Sequence, residues 1–228
     1  MPALPPGADL LPGPLWYHGL EFMQPDRIPL FPLNVVLLPG EQLPLHIFEP
    51  RYRRMVHECL EKGSPFGMLL ALKDGVVHVG CTAEIELVTK RYDDGRMDIL
   101  SIGKQPFRVV ELFQDDPLLE GTVDHLEDKD APVSERTTQE LMSLYETCYT
   151  LVFSGMPQQI DCALSGSVSF SIAATLPIDL MWKQRILELR SEQERQERLA
   201  RYLREWALHL QKVGVLRARS AGNGQGLN

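Results

Sequence analysis

Between Glu127 and Thr137, in the stretch EDKDAPVSERT, the hydrophobic pattern of this chain changes its period. From Ile28 to about Leu126, apolar residues come in short β-branched runs or alternate with polar ones, as in strands whose side chains point to opposite faces in turn. Beyond the stretch they recur at three and four residues. Leu141, Leu144, Tyr145, Cys148, Leu151 and Val152 share one helical face. A pattern cannot serve both periods, so the chain predicts strands followed by helices, an α+β fold.

The strand half carries its own punctuation. IPLFPLNVVLLPG is apolar but interrupted by Pro29, Pro32 and Pro39, which confines it to edges, bends or bulges. FGMLLAL (Phe66–Leu72) reads as a buried strand, and TAEIELV (Thr82–Val88) alternates as a half-buried one. Asp94-Gly95 sits between two alternating runs, where residues that tolerate positive φ make a hairpin turn. PFRVVELF and LEGTVDHL continue the meander. In the helical half, SFSIAATLP gives a short helix stopped by Pro177. Asp179 is placed to cap DLMWKQRILELR, and Ser191 with Glu194 forms a capping-box pattern before the last helix. Its apolar stripe is Leu199, Tyr202, Leu203, Trp206, Ala207 and Leu210. The expected layout is an irregular extension over 1–25, a β domain over 26–130, a helical bundle over 131–215 and a disordered tail over 216–228. Trp16, Tyr17, Phe22 and Met23 could pin part of the extension to the body.

Composition narrows the function classes. A formal net charge of −8 over 228 residues opposes a nucleic-acid-binding surface. No apolar run reaches the roughly 18–20 residues that span a bilayer, and the Pro- and Gly-rich start lacks the basic region of a signal peptide. Cys59, Cys81, Cys148 and Cys162 form no CxxC pair and sit in apolar contexts, so they read as buried thiols of a reducing, cytoplasmic compartment.

Charged side chains and two His occur together in PLHIFEPRYRRMVHECLEKG, from Pro44 to Gly63. HECLE, His57 to Glu61, falls one residue short of a zinc-protease helix. That chemistry needs a second His at i+4 and a third ligand; Glu61 stands in the second position. Glu49-Pro50 reads instead as a helix start, Tyr52, Met55, Val56, Cys59 and Leu60 as the buried stripe, and Gly63 as the stop. At about 100° per residue, His57 falls about 130° from that stripe, on the solvent side. His46 and Glu49 read as a hydrogen-bonded corner between strand and helix. Ser101-Ile-Gly-Lys104 matches Ser-x-x-Lys but lies in an alternating strand rather than at a helix start. The sequence has no GxSxG and no GxxxxGK[ST]. Arg185 to Arg204 is interleaved with Glu at helical spacing, which reads as a solvated, salt-bridged face. These readings leave no catalytic residue, no metal ligand and no cofactor site.

IPLFPLNVVLLPGEQLPLHIFEPRYRRM resembles the opening of the N-terminal, substrate-recognition domain of the ATP-dependent Lon protease family. VGCTAEI (Val79–Ile85) is similar to that family's Gly-Thr-x-Ala-x-Ile strand. SIGKQPFRV resembles its Gly-x-x-Arg-Phe segment, with Pro106 at the Arg position. SIAATLPIDLMWKQRILELRSEQERQERL resembles its closing helices, with Lys183, Gln184 and Leu187 in place. The likeness runs from about residue 28 to 210. It implies a PUA-like β-barrel or bent sheets followed by a helical bundle, with Glu49, Pro50, Arg51 and Arg53 fixing a structural corner. It also implies a stand-alone substrate-binding domain without AAA+ and protease modules, hence no catalysis of its own.

The leading expectation is a module that binds apolar polypeptide segments or docks to a proteolytic machine. Its candidate surface is Val36, Leu37 and Leu38 beside Pro39-Gly40, with Leu112, Phe113 and Leu118 beside the Asp115-Asp116-Pro117 turn; the alternative is that these residues fill the β core. Two other readings are an RNA-binding PUA-like protein, opposed by the acidic balance, and a cryptic hydrolase around His46, His57 or His78.

Overall fold

In a computed structural model, the described residues are 26–114, 117–129 and 132–222, with side chains described as far as Val213. The expected extension and its four apolar anchors therefore lie outside the described residues, as do Asp115 and Asp116. Seven strands precede four of the five helices: β1 (Asp26–Leu33), β2 (Gln42–Ile47), α1 (Pro50–Lys62), β3 (Phe66–Leu72), β4 (Gly75–Val76), β5 (Val79–Arg91), β6 (Met97–Phe113), β7 (Glu120–His125), α2 (Glu135–Phe153), α3 (Val168–Thr175), α4 (Leu180–Glu188) and α5 (Glu192–Gly222). The expected tail thus starts inside α5, and 223–228 lie outside the described residues.

The sheet follows the order β1-β7-β6-β5-β3-β4, and β1 also pairs with β3 in parallel, which closes its first five strands on themselves. The other pairings are antiparallel. β6 serves three neighbours: β5 along most of its length, β2 over Met97–Ile102 and β7 over Phe107–Phe113. Between the two shorter partners the strand must pass the turn that follows β1. There Gly103 accepts from Gly40 N–H (2.8 Å) and donates to Glu41 O (3.0 Å). A Cβ on Gly103 would lie 2.2 Å from Leu38 O, so only glycine fits. Leu38-Pro39-Gly40-Glu41 is itself a tight turn, closed by Glu41 N–H to Leu38 O at 3.0 Å, with Gly40 at φ 78°. Pro at the second position and a positive-φ Gly at the third suit a type II turn.

The helix boundaries follow the local chemistry. Pro50 opens α1 and Gly63 ends it at φ 62°; Glu49 occupies the cap position without a side-chain capping bond. Asp179 caps α4 by accepting from Met181 and Trp182 N–H. Of the expected capping box only half forms: Ser191 Oγ accepts from Glu194 N–H at 3.4 Å, while Glu194 turns outward to Arg198. The Asp94-Gly95 hairpin is present, but only Gly95 has positive φ (84°), so the turn is not the type I′ pair that two such residues would make.

One buried cluster runs through both halves, from Phe31, Val36, Tyr52 and Phe66 in the first to Leu141, Phe170, Ile186 and Leu203 in the second. A polar joint holds them in register. Lys183 Nζ donates to Glu41 Oε1 at 3.0 Å with both side chains mostly buried, and Leu38 N–H donates to the other oxygen. Burial pushes the Glu41 carboxyl up, against the opposing pull of Lys183. Gln184, buried on α4, donates to Val79 O of β5 at 3.0 Å. The expectation of a solvated face over Arg185 to Arg204 holds for Arg198 and Arg204, which make exposed pairs with Glu194 and Glu140, and fails for Arg195. That guanidinium is buried among Asp128, Glu192, Ser169 and the Phe170 ring, because α5 turns this side inward against α3 and the loop after β7.

Candidate functional site

The six residues expected to form an apolar surface separate. Val36, Leu37, Leu38 and Leu118 are buried. They are core, and burial of a Val or Leu side chain contributes about 1.5–3 kcal/mol, which is why the run after β1 folds inward rather than facing a partner. Leu112 is 38% exposed. Phe113 is half-buried, with the Arg27 guanidinium 4.2 Å above its ring.

The corner residues converge on architecture. Glu49 accepts from Arg51 Nε at 2.9 Å, Arg51 Nη1 donates to Pro117 O at 3.2 Å, and Arg53 Nη1 donates to Asp94 O at 2.6 Å. The start of α1 is thereby tied to the loop before β7 and to the β5–β6 hairpin. His57 is exposed and lies 3.5 Å from Glu61, and no group of three metal-ligating side chains occurs among the described residues. Ser101 is buried in β6, and Lys104 pairs with Glu84 at 3.0 Å on the outside, so the Ser-x-x-Lys match brings no nucleophile and base together. His46 does not bond Glu49. Its Nδ1 donates to Asp98 Oδ1 at 2.5 Å.

That last contact belongs to a surface the sequence pattern did not show. Pro44, His46 and Phe48 point to the outer side of the β2 segment, and their cross-strand partners on β6, Leu100 and Asp98, share it. Strict alternation along β5 would put Leu87 inside with Ala83 and Ile85. A bulge between Ile85 and Leu87 sets two steps of β5 against one of β6, pairing Ile85 with Ser101 and Leu87 with Leu100. The extra residue reverses the phase, and Leu87 emerges 55% exposed. Pro44, Leu100 and Leu87 therefore form an apolar row across three strands, each step about 4.8 Å.

Polar pairs flank this row. On one side Gln42 Nε2 donates to Glu86 at 2.7 Å. On the other, Asp98 takes His46 on one oxygen and the Tyr92 hydroxyl on the other at 2.9 Å, and these bonds hold its carboxyl below the usual range. Phe48, 58% exposed, stacks on His46 with centroids 6.0 Å apart, and Tyr92 meets the same ring edge-on at 5.7 Å. Lys90 and Arg96 lie over the Tyr92 ring. An apolar strip with fixed aromatic and hydrogen-bonding borders can grip a side chain and orient a polar backbone beside it; it holds no convergent nucleophile, base or metal set.

The fold is thus a closed sheet packed against a helical bundle, with an apolar row on the outer β2–β6–β5 face. The sequence model of the ATP-dependent protease La (LON) substrate-binding domain matches residues 27–205, and the chain belongs to that family. It is 32% identical over 127 residues to Lon protease of Parabacteroides distasonis, covering 52% of this chain and 15% of that protein. It is 31% identical over 137 residues to protein cereblon of Gallus gallus, covering 56% of this chain and 31% of that one. The matched part thus spans less than a third of these curated relatives. Among solved structures, the Lon N-terminal domain protein from Xanthomonas campestris superposes with a TM-score of 0.62 at 27% identity, over 76% of this chain and 96% of that chain. The N-terminal domain of Mycobacterium avium complex Lon protease, at 15% identity and a TM-score of 0.56, shares the fold. No helix among the described residues is long and apolar enough to cross a membrane.

Proposed function

We propose that this chain is a non-catalytic protein-recognition module whose β2–β6–β5 face takes up apolar stretches of other polypeptides, as substrates or as the docking point of a proteolytic machine. The observation that carries the reading is the Pro44-Leu100-Leu87 row, whose Leu87 the bulge at Glu86 leaves outside the core, bordered by Phe48 and the His46–Asp98–Tyr92 group. Membership in a substrate-binding family supports it. The partner is protein, not nucleic acid or membrane, and no cofactor takes part. The four thiols are free, three of them buried, as suits a reducing cytoplasm.

The test is binding of a reduced, alkylated and permanently unfolded polypeptide, measured by fluorescence anisotropy. Leu87→Asp and Leu100→Asp replace contacts of roughly 1.5–3 kcal/mol each and should weaken binding by about tenfold or more, with circular dichroism unchanged. Equal affinity of folded variants and parent would remove this face from recognition. Absence of binding by the parent would remove the reading itself.

A further inference from the structure

β2 is paired along one side alone. β6 is its strand partner over Gln42–Ile47, and among the described residues no second strand and no helix runs alongside it. The phase of its hydrogen bonds follows from the turn before it. Gly103 N–H donates to Glu41 O at 3.0 Å, and the register that sets Glu41 opposite Gly103 continues through Leu43–Ser101, Leu45–Ile99 and Ile47–Met97. Bonded and non-bonded residues alternate in an antiparallel ladder. Leu43, Leu45 and Ile47 therefore turn their backbone groups to β6, whereas Gln42, Pro44 and His46 turn theirs to the open edge. Pro44 suits this phase, because a strand accepts proline where its missing N–H faces away from the ladder. The edge thus offers the carbonyls of Gln42, Pro44 and His46 and the N–H groups of Gln42 and His46, all from exposed residues.

The chemistry of the edge selects its occupant. A second copy of β2, laid antiparallel with Pro44 opposite Pro44, leaves both carbonyls there without a donor. An extended segment of ordinary residues still donates to all the free carbonyls. Where the edge begins, a groove of about 540 Å³ opens between Gly40, Glu41 and Gln42 on one wall and Gln158, Gln159 and Asp161 of the α2–α3 loop on the other. The side-chain amides of Gln158 and Gln159 have no partner among the described residues, so donors and acceptors stand free beside an entering backbone. On the outer face, Leu87, Leu100 and Pro44 step across β5, β6 and β2, and the next step of about 4.8 Å falls on a strand added to β2. We infer, on the polypeptide-binding reading above, that the segment is held as an extra strand on the open edge of β2, with alternate apolar side chains continuing the row and its end lying in the groove. Main-chain bonds hold such a segment and the row selects its side chains.

The test takes the full chain and a short labelled peptide of alternating leucine and threonine, read by fluorescence anisotropy. Only alternate amides of an added strand face β2, and the leucine side chains fix which, since they belong on the apolar row. N-methylation of the leucine amides in one peptide and of the threonine amides in another should weaken binding by about hundredfold in one case, for about three lost bonds, and by less than about threefold in the other. His46→Pro removes an edge N–H that His46→Ala keeps, and should bind about fivefold more weakly than the alanine variant. Pro44→Val adds an edge N–H beside an apolar side chain and should bind about fivefold more tightly than the parent, which keeps the test decisive should His46→Pro unfold. Equal loss from the two methylated peptides, or no gain in Pro44→Val, overturns strand addition and leaves binding by the face standing. A parent that captures the unfolded polypeptide but not the peptide overturns it too, because main-chain bonds need no long partner. A parent that captures neither overturns the polypeptide reading with it.

Discussion

Replacing Arg195 with Met should cost this protein about 3 kcal/mol, although the new side chain is apolar and of similar length. The Arg195 side chain is 1% exposed. Nη1 donates to Asp128 at 2.8 Å and to Leu189 O at 3.1 Å, Nε to Ser169 Oγ at 3.1 Å, and Nη2 to Glu192 at 2.8 Å and to the second Asp128 oxygen. Breaking a buried ion pair from one side costs about 3–5 kcal/mol, because the partner is left charged in a poor solvent. Two features favour the lower end. Asp128 is partly exposed and regains water, while Glu192 keeps donors from Ser167, Ser169 and Gln196. With a urea m-value of about 3 kcal/mol/M for a chain of this size, the midpoint should fall by about 1 M at constant m. Arg195→Met/Glu192→Gln should recover part of the loss, since the orphaned charge is gone. A midpoint within about 0.3 M of the parent for the single variant would refute the view that this group joins the halves.

Gly103→Ala drives a methyl group to 2.2 Å from Leu38 O. It should lower stability by about 2–4 kcal/mol, read as a fall in thermal midpoint, whereas Gly63→Ala, with open space around it, should cost only the smaller strain of its left-handed backbone. Native alkylation with iodoacetamide should label Cys162 well before the others. Burial pushes the Cys148 thiol up to about 11 and raises Cys59 and Cys81 as well; equal labelling of Cys81 would contradict its burial. Burial alone would raise Glu192, but hydrogen bonds from Ser167, Gln196 and Ser169 outweigh it and hold the carboxyl below the ordinary glutamate value. Its contribution is therefore present above that value, about 4.3, and lost as pH falls through the lower folded one. Glu192→Gln should flatten the stability–pH slope in that acid window, as read by urea unfolding at a series of pH values.

Much of the frame was legible because it rests on local rules. Phe66–Leu72 is a strand, as a short apolar run between breakers suggests, buried on both faces from Phe66 to Leu70. Asp179, Pro50 and Gly63 mark helix ends through their own backbone chemistry. The candidate surface was hidden for a physical reason. Periodicity assigns a face by counting, and a single bulge at Glu86 offsets the count, so Leu87 reads as core and stands outside. The converse case is Val36, Leu37 and Leu38, an apolar run beside a Pro-Gly turn that offers a patch or fills the core by pattern, and that is buried where Gly103 brings β6 against it. Arg195 is illegible for a third reason. Its spacing from Glu192 and Glu194 is the same as that of a solvated pair, and only α3 and the loop carrying Asp128 decide that it is inside.

The division has a consequence for how function is placed on this fold. The segments that carry the family resemblance supply the Pro39-Gly40 turn, the Glu41–Lys183 pair, the Gln184 bond to β5 and the Arg195 group. The pair, the Gln184 bond and the Arg195 group hold the β half to the helices, and the turn bonds Gly103 of β6; none of them involves Pro44, Leu100 or Leu87. The face is set by outward side chains of the strands: Pro44, His46 and Phe48 lie in the first of those segments, whereas Leu87 and Leu100 fall outside them. Such positions can change chemistry without disturbing the joint, since an exposed substitution usually moves stability by less than about 0.5 kcal/mol. Leu87→Lys should therefore leave the urea midpoint of this protein nearly unchanged while weakening capture of an apolar polypeptide by about tenfold or more. Substitution of Lys183 by Met should do the reverse at the level of cause: the mostly buried Glu41 carboxylate loses its cation, the joint weakens, and binding falls only in proportion to the fraction unfolded. Measuring midpoint and affinity together for the two variants separates recognition from scaffold, and a common fall in both for Leu87→Lys would place this residue in the scaffold instead.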